Sequence, residues 1–303
     1  MNTQLETRID LYTRVAEETA SGVIRRYSTS FGLASSILDK STRQHIENIY
    51  SLVRLADEIV DGVAYEAGVS VERAGQLLDD LEKNTEDAMA SGYSTNLIVH
   101  AFAHTSKTVG IGPDLTRPFF ESMRMDLRET HHTEESFDAY VYGSAEVVGL
   151  MCLEAFLHGH TVSEADKKTM VAGGRALGAA FQKVNFLRDL GADFVALGRS
   201  YFPGVTPDSL DDATLARLLD DIDDDLVLSA NALKLLPPAA RKAVALAHAL
   251  FDDLGRRLRQ TPAEQLLERR VRVPGPAKAW IALKIFFGWL PKPPTQAVRK
   301  GTQ

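Results

Sequence analysis

Two segments of this chain each carry a pair of aspartates four residues apart, with an arginine close by. The first pair is Asp57 and Asp61, and the second is Asp189 and Asp193. At about 100° per residue, both members of a pair lie on one face of a helix. Carboxylates held on one face repel one another unless a cation lies between them. The chain must therefore fold so that these two helix faces are neutralised by cations.

Other polar side chains share the two helix faces. The first face holds four of them within an arc of roughly 60°: Tyr50, Arg54, Asp57 and Asp61. The second holds four within roughly 80°, with Arg188 at its edge: Gln182, Asn185, Asp189 and Asp193. Mg²⁺ prefers one or two carboxylates together with phosphate oxygens and water. We therefore predict a cluster of Mg²⁺ ions, with Mn²⁺ as the possible substitute, that carries a diphosphate.

The remainder of the sequence predicts an all-α protein. Of its 303 residues, 45% are hydrophobic, which is enough for one large core. Long segments place apolar residues three and four positions apart, as helices do: 15–26, 43–60, 74–90, 137–157, 168–190, 211–234, 239–259 and 276–290. A further helix runs through Met123 and Asp126. We expect a single domain over residues 1–303, with 1–15 and 292–303 flexible.

The bulk properties of the chain exclude several classes of protein. A net charge of −7 argues against nucleic-acid binding, which needs a basic face. The single cysteine, Cys152, leaves no internal disulfide and no cysteine-based zinc site. The polar N-terminus predicts no signal peptide, and the absence of an uncharged apolar run of about 18 residues predicts no membrane span. These features lead us to expect a cytoplasmic protein.

Aspartate spacing alone is weak support for a metal site. The run 220–225 also contains aspartates three and four residues apart, but no arginine or asparagine interrupts it. Apolar residues occupy the opposite face of its helix, so the run is expected to be a solvated face. The two motifs differ because apolar residues surround them. Polar stripes within hydrophobic helices point inward, where carboxylates need cations.

Taken together, these motifs resemble those of the squalene/phytoene synthase family. The resemblance runs from about residue 20 to about residue 290. It rests on the two aspartate motifs and on four further segments: 28–31 (Ser-Thr-Ser-Phe), 123–127 (Met-Arg-Met-Asp-Leu), 140–151 (beginning Tyr-Val-Tyr-Gly) and 199–203 (Arg-Ser-Tyr-Phe-Pro). The sequence departs from the family at Tyr27, where many members have histidine, and at Glu58, where aspartate is common.

The resemblance implies an isoprenoid-synthase-type helical bundle with a central cavity and a head-to-head coupling of two allylic diphosphates. Its implied metal ligands are Asp57, Asp61, Asn185, Asp189 and Asp193. Its implied substrate-binding residues are Ser28, Ser30, Phe31, Tyr140, Arg199 and Tyr201, the last two on a flap over the diphosphates. The expected apolar pocket comprises Phe31, Val53, Val147, Val148, Leu150, Met151 and Leu177, with room left by Gly149, Gly178 and Ala179.

Within the family, the wording of the first motif favours phytoene synthesis from two C20 diphosphates in the carotenoid pathway, without NADPH. A C15-using member that makes dehydrosqualene, squalene or presqualene diphosphate is the main alternative. A head-to-tail prenyltransferase, a terpene cyclase or an inactive assembly factor fits less well, because all four motif aspartates are present and the 182–203 block follows the head-to-head pattern.

The C-terminal region has a separate pattern. Segment 280–290 is apolar and is flanked by basic residues: Arg269, Arg270, Arg272, Lys278, Lys292, Arg299 and Lys300. It is expected either to pack on the core as a final helix or to lie on the inner face of an acidic membrane as a peripheral contact. The oligomeric state is left open.

Overall fold

The computed structural model describes residues 7–60 and 63–291, apart from the side chains of residues 193, 196 and 197. Over these residues the chain is built from helices and contains no β-strand. The helices are α1 (Arg8–Tyr27), α2 (Ser30–Ser35), α3 (Lys40–Val60), α4 (Val63–Glu66), α5 (Val71–Ser91), α6 (Leu97–Val109), α7 (Pro113–Arg128), α8 (Glu134–Val141), α9 (Val147–Leu157), α10 (Glu164–Leu197), α11 (Asp212–Leu233), α12 (Pro238–Arg259), α13 (Ala263–Glu268) and α14 (Gly275–Phe286). A π-helical segment, Tyr142–Glu146, joins α8 to α9, and a short 3₁₀ turn spans Pro207–Ser209.

The predicted all-α class is confirmed, and each periodic segment overlaps a helix, although α14 ends at Phe286 and not at residue 290. Side-chain caps define several helix starts. Asp39 accepts a hydrogen bond from the Thr42 backbone at 3.0 Å before α3, and Thr133 forms a capping box with Ser136 before α8. Residues 8–15, which we expected to be flexible, form the first turns of α1. Residues 292–303, the other expected flexible end, lie outside the described residues.

Periodicity did not identify α6. This helix is buried over most of its surface, with apolar residues on more than one face. A helix surrounded by other helices lacks the polar stripe from which an amphipathic period is read. It packs against α1, α3 and α5 and so forms the centre of the N-terminal half.

One helix in the described part of the chain, Glu134–Leu157, is long and apolar enough to cross a membrane by length and composition. Our stricter criterion of an uncharged run missed it, because Asp138 and Glu146 interrupt it. Within the protein, 61% of its apolar window is buried. A core helix passes the same test, and here the segment packs against α3, α7 and α10.

Two hydrophobic clusters hold the bundle together. The first joins α1, α3, α6, α7 and α9 around the fully buried rings of Phe102, Phe119 and Phe120. The second joins α8 and α10 to α11 through residues such as Leu187 and Leu219. Helix α10, 34 residues long, borders both clusters and places the second motif near its C-terminal end. The two motif helices therefore face each other across the space between the clusters.

The π segment makes a tight contact that can be tested. A Cβ added at Gly143 would overlap the carbonyl of Pro118 and the hydroxyl of Ser122 on α7. We expect Gly143→Ala to lower the free energy of unfolding by about 1–3 kcal/mol, because the backbone must move to relieve the overlap. Gly22→Ala in α1 is the matched control, since its Cβ meets nothing within 4 Å. It should raise stability by about 0.5–1 kcal/mol. Urea unfolding measures both, and equal stability of the two variants would contradict the packing described here.

Candidate active site

A cavity of about 820 Å³ lies between the two motif helices. This volume is near the upper end of the range of roughly 300–1,000 Å³ found for ligand pockets. Exposed residues mark its opening: Tyr27, Thr29, Arg270 and Arg272. Buried apolar residues line its interior: Ile46, Ile49, Leu153, Met170, Leu233 and Leu250. The cavity thus combines a polar, cationic entrance with a deep hydrophobic chamber.

The first motif contributes Tyr50 and Arg54 to the cavity wall. The Nε of Arg54 donates to Oε1 of Glu58 at 2.6 Å, and its guanidinium lies 4.5 Å from the centre of the Tyr27 ring. Partial burial opposes the charge on Arg54, but the hydrogen bond to Glu58 and the nearby Asp57 outweigh it and raise the pKa of Arg54. Arg54 is therefore a fixed cation at the entrance.

Aromatic rings line the wall just inside the entrance. Phe31 and Tyr50 stack with their centroids 6.0 Å apart and their planes at 25°. The hydroxyl of Ser28 accepts a hydrogen bond from the Phe31 backbone at 3.1 Å, which fixes the start of α2 beside α3. Burial, the largest influence, raises the pKa of Tyr50, so this phenol stays neutral near pH 7.

The second motif contributes Gln182, Asn185 and Arg188 to the opposite wall. Asp189 lies between two guanidinium groups rather than facing solvent alone. Its Oδ1 accepts from Nε of Arg188 at 3.0 Å and pairs with Nε of Arg270 at 2.7 Å. A carboxylate bridging two arginines orders both of them at the cavity entrance.

Half of the predicted metal-binding carboxylates lie outside the structural description. Asp61 and the side chain of Asp193 are not described. Asp57 is described and lies close enough to Arg54 to help raise the pKa of that arginine. Among the described side chains, no three acidic, histidine or cysteine residues come together as a metal site. The predicted set of five metal ligands therefore stays a prediction.

The residues that are described fit a hard cation such as Mg²⁺. Glu58 follows Asp57 directly, and its Oε2 atom is buried without a hydrogen-bond partner in the protein. The amide oxygen of Asn185 lines the cavity on the other helix. Carboxylate and amide oxygens are the ligands that hard divalent cations select, whereas softer metals favour sulfur or imidazole.

The structure places three of the predicted substrate-binding residues elsewhere. Tyr140 and Tyr201 are buried outside the cavity wall, stacked with centroids 5.5 Å apart. The Tyr140 hydroxyl donates to the buried carboxylate of Asp126 at 2.9 Å. These rings belong to the second hydrophobic cluster, and their predicted contact with substrate stays a prediction.

Arg199 is anchored to two other helices, and its expected role over the diphosphates stays a prediction. Its guanidinium is buried and donates to the backbone oxygens of Val60 at 2.9 Å and Asp126 at 2.7 Å. It also lies 3.6 Å from the Asp126 carboxylate. A side chain whose donors are used by two other helices cannot lift away freely. Arg199 therefore ties the segment after α10 to the end of α3, next to the first motif.

The acidic run 220–225 is also more structural than predicted. Lys183 on α10 pairs with Asp221 and Asp225, and Arg259 on α12 pairs with Asp220 and Asp223. Burial raises the pKa of Asp225 against the opposing effect of Lys183. The run keeps the expected exposed face at Asp220, Asp221 and Asp224, and its ion pairs also join α11 to its two neighbours.

Sequence reasoning found part of the apolar wall. Six predicted residues line the cavity: Phe31, Val53, Val148, Gly149, Leu177 and Gly178. Four do not, because they point into the surrounding core or away from the cavity: Val147, Leu150, Met151 and Ala179. Cys152 is buried and lines the chamber, and burial raises the pKa of its thiol to about 12.

Two helices of the chamber wall approach each other through glycines. A Cβ on Gly149 of α9 would lie 2.5 Å from the Gly174 oxygen of α10. A Cβ on Gly178 would lie 2.5 Å from the oxygen of Ala145. All three glycines line the cavity. This part of the wall is therefore made of backbone atoms, which leaves the chamber wide where side chains would narrow it.

Three cations at the entrance were not recognised as site residues from the sequence. Arg270, Arg272 and Lys278 all line the cavity. The Nζ of Lys278 donates to the hydroxyl of Ser30 at 3.0 Å and to that of Thr29 at 3.2 Å. The signal in the sequence is that basic residues cluster there, a pattern that we attributed to membrane contact.

The comparisons with known proteins agree with this geometry. Residues 24–277 match the family model described as squalene/phytoene synthase. The chain is 30% identical over 250 residues to a phytoene synthase of Pseudescherichia vulneris, covering 75% of this chain and 77% of that protein. It is 27% identical over 277 residues to the 15-cis-phytoene synthase of Pantoea ananas, covering 84% and 86%. A maize chloroplastic phytoene synthase is longer, and the match spans 41% of it.

Solved structures show the same fold. A crystal structure of a dehydrosqualene synthase in complex with a ligand superposes with a TM-score of 0.73 at 21% identity, covering 91% of this chain and 97% of that one. The folds agree over almost their whole lengths, and the sequence match extends across both aspartate motifs. The chain belongs to the squalene/phytoene synthase family and is a prenyltransferase.

Proposed function

We propose that the protein joins two molecules of geranylgeranyl diphosphate head to head, through prephytoene diphosphate, to give phytoene and release diphosphate. The observation that carries this proposal is the cavity, whose cationic entrance bears both motifs and whose interior is apolar. A prenyl diphosphate has the same division between a charged head and a hydrocarbon tail. The phytoene synthases among the relatives support the C20 substrate.

The entrance is suited to the departing diphosphate. Arg54 and Arg188, on opposite walls, can each make two parallel hydrogen bonds to phosphate oxygens. Asn185 and Gln182 add neutral polar groups beside them. Mg²⁺ or Mn²⁺, held by Asp57, Asp61, Asn185, Asp189 and Asp193, would act as a Lewis acid on the leaving group.

The chamber beyond the entrance is suited to a carbocation. The stacked rings of Phe31 and Tyr50 present π-faces, which attract positive charge. Buried aliphatic side chains exclude water, which would otherwise quench the cation. Ser28 and Ser30, at the start of α2, lie where the first diphosphate would leave. Loss of a proton completes phytoene formation, so no NADPH is required.

A second function is supported by a specific observation. The structural neighbour described above is a dehydrosqualene synthase, and a C15-using enzyme would need the same entrance. The product would then be dehydrosqualene, squalene or presqualene diphosphate. The two functions differ in the length of hydrocarbon that the chamber accepts.

Product analysis separates the two functions. The protein is incubated with Mg²⁺ and either the C15 or the C20 diphosphate, with and without NADPH, and the extracted products are identified by mass. We expect phytoene from the C20 diphosphate, independent of NADPH. Turnover restricted to the C15 diphosphate, or dependent on NADPH, would overturn the assignment. A reaction without enzyme is the control for spontaneous hydrolysis.

A further inference from the structure

Helix α14 and the turn after it expose an unusual set of apolar side chains. Phe286 is 70% exposed, Phe287 77% and Trp280 58%. Leu283 and Trp289 are also exposed. We call these five residues the α14 surface. Single exposed apolar residues are ordinary, whereas several large ones within ten residues mark a surface that binds a protein or a membrane.

The position of the α14 surface is fixed by its opposite face. Ile285 is fully buried, and Ile281 and Ala282 pack partly against the first hydrophobic cluster. Helix α14 rests on α12 through these residues. One face of α14 therefore packs on the core, as expected for a final helix. The opposite face points outward and is the one that a membrane contact would use.

The charge of residues 269–303 indicates which partner binds the α14 surface. Residues 269–303 hold eight of the chain's 34 lysines and arginines and none of its 41 acidic residues. The Nζ of Lys284 lies 5.3 Å from the ring of Trp280 and 5.7 Å from that of Trp289. Lys242 of α12 lies 5.9 Å from the Phe286 ring. Exposed aromatic rings beside Lys242 and Lys284 match the headgroup region of an anionic bilayer.

The geometry points to a docking surface for an anionic lipid bilayer, in which the five residues of the α14 surface enter the headgroup region while Lys242 and Lys284 meet lipid phosphates. A second copy of the chain fits less well. A two-fold contact through this face would bring Lys284 and its neighbours against the same cations of the partner, with no acidic side chain from residues 269–303 to offset them.

The α14 surface adjoins the cavity entrance. Arg272, Val273 and Lys278, in and just before α14, line the cavity, and Lys278 bonds to α2 across it. If the proposed function holds, docking places the entrance at the bilayer, so hydrocarbon tails need not cross water. The docking itself does not depend on that function.

The chain provides its own probe of this contact. Its two tryptophans, Trp280 and Trp289, both belong to the α14 surface. Intrinsic tryptophan fluorescence therefore reports on this surface without a label. The full chain is titrated, without substrate, with phosphatidylcholine vesicles that contain or lack phosphatidylglycerol, and bound protein is measured by flotation. We expect emission to shift to shorter wavelength and protein to float with the anionic vesicles, both weakening as salt is raised.

Two double variants make the test specific. Phe286→Ser with Phe287→Ser should weaken vesicle binding at least about tenfold, because two large apolar groups no longer enter the lipid. Ile9→Ser with Leu11→Ser is the matched control, since both side chains are 48% exposed on α1, and it should bind as wild type does. Thermal unfolding confirms that each variant is folded.

Three outcomes would overturn the proposal: no binding by the wild type, equal binding by both double variants, or equal binding to vesicles without anionic lipid. A blue shift that depends on protein concentration without vesicles, together with a dimer in light scattering, would instead identify a second copy as the occupant. Because no substrate is present, failure of docking and failure of the proposed reaction are observed separately.

Discussion

Replacing Asp189 by asparagine is expected to lower kcat/KM by at least about a hundredfold, the size of effect seen when one group that stabilises transition-state charge is removed. Asp189 holds Arg188 and Arg270 at the cavity entrance. The amide keeps the shape of the side chain but loses the charge that orders both guanidinium groups and that, under the proposed function, would attract the metal ion. Steady-state kinetics with the C20 diphosphate measures the change.

The acidic run on α11 supplies the control for this prediction. Asp221 pairs with Lys183, which also pairs with Asp225, and it lies outside the cavity. Asp221→Asn should therefore keep kcat/KM within about twofold of wild type, since surface ion pairs contribute little. Near-wild-type turnover by Asp189→Asn, or equal losses in both variants, would remove Asp189 from the catalytic site.

Replacing Arg199 by methionine is expected to destabilise the fold by about 3–5 kcal/mol, the range found when one partner of a buried ion pair is removed. The change deprives Asp126 of its guanidinium neighbour and the oxygens of Val60 and Asp126 of their donor. Arg128→Met, on the exposed side of α7, should cost less than about 0.5 kcal/mol. Urea unfolding compares the two.

This prediction also separates the anchor from the flap that the family resemblance implied. If Arg199 acts as an anchor, a double variant with Asp126→Leu should be less destabilised than the sum of the two single changes, because the groups interact directly. If Arg199 acts as a flap, Arg199→Met should keep wild-type stability and lose only turnover. That second result would contradict the position described here.

The sequence predicted those features that depend on local periodicity. The spacing predicted that Tyr50 and Arg54 share one face of a helix. It predicted the same for Gln182, Asn185 and Arg188 on a second helix, and both sets line the cavity. Helical spacing determines which side chains share a face, and a stripe in an apolar helix must turn inward.

Features that depend on distant contacts were not predictable in the same way. Arg270 reaches Asp189 across 81 positions of sequence, and Lys278 reaches Ser30 across 248. No spacing rule links residues so far apart. The buried contacts of Tyr140 and Arg199 were also not predictable from spacing. Their residue types suit a diphosphate site, but in the fold both contact the buried carboxylate of Asp126.

The glycines at the crossing of α9 and α10 restrict how this enzyme can change over evolution. Gly149, Gly174 and Gly178 form a wall of backbone, in which a new side chain at Gly149 or Gly178 would collide with the neighbouring helix before it reached the chamber. The walls formed by α11 and α12 instead present side chains, including Leu233, Val244 and Leu250. New substrate lengths are therefore accessible by single mutations where side chains line the chamber, so laboratory selection for longer or shorter products should accumulate its changes there and not at the glycine crossing.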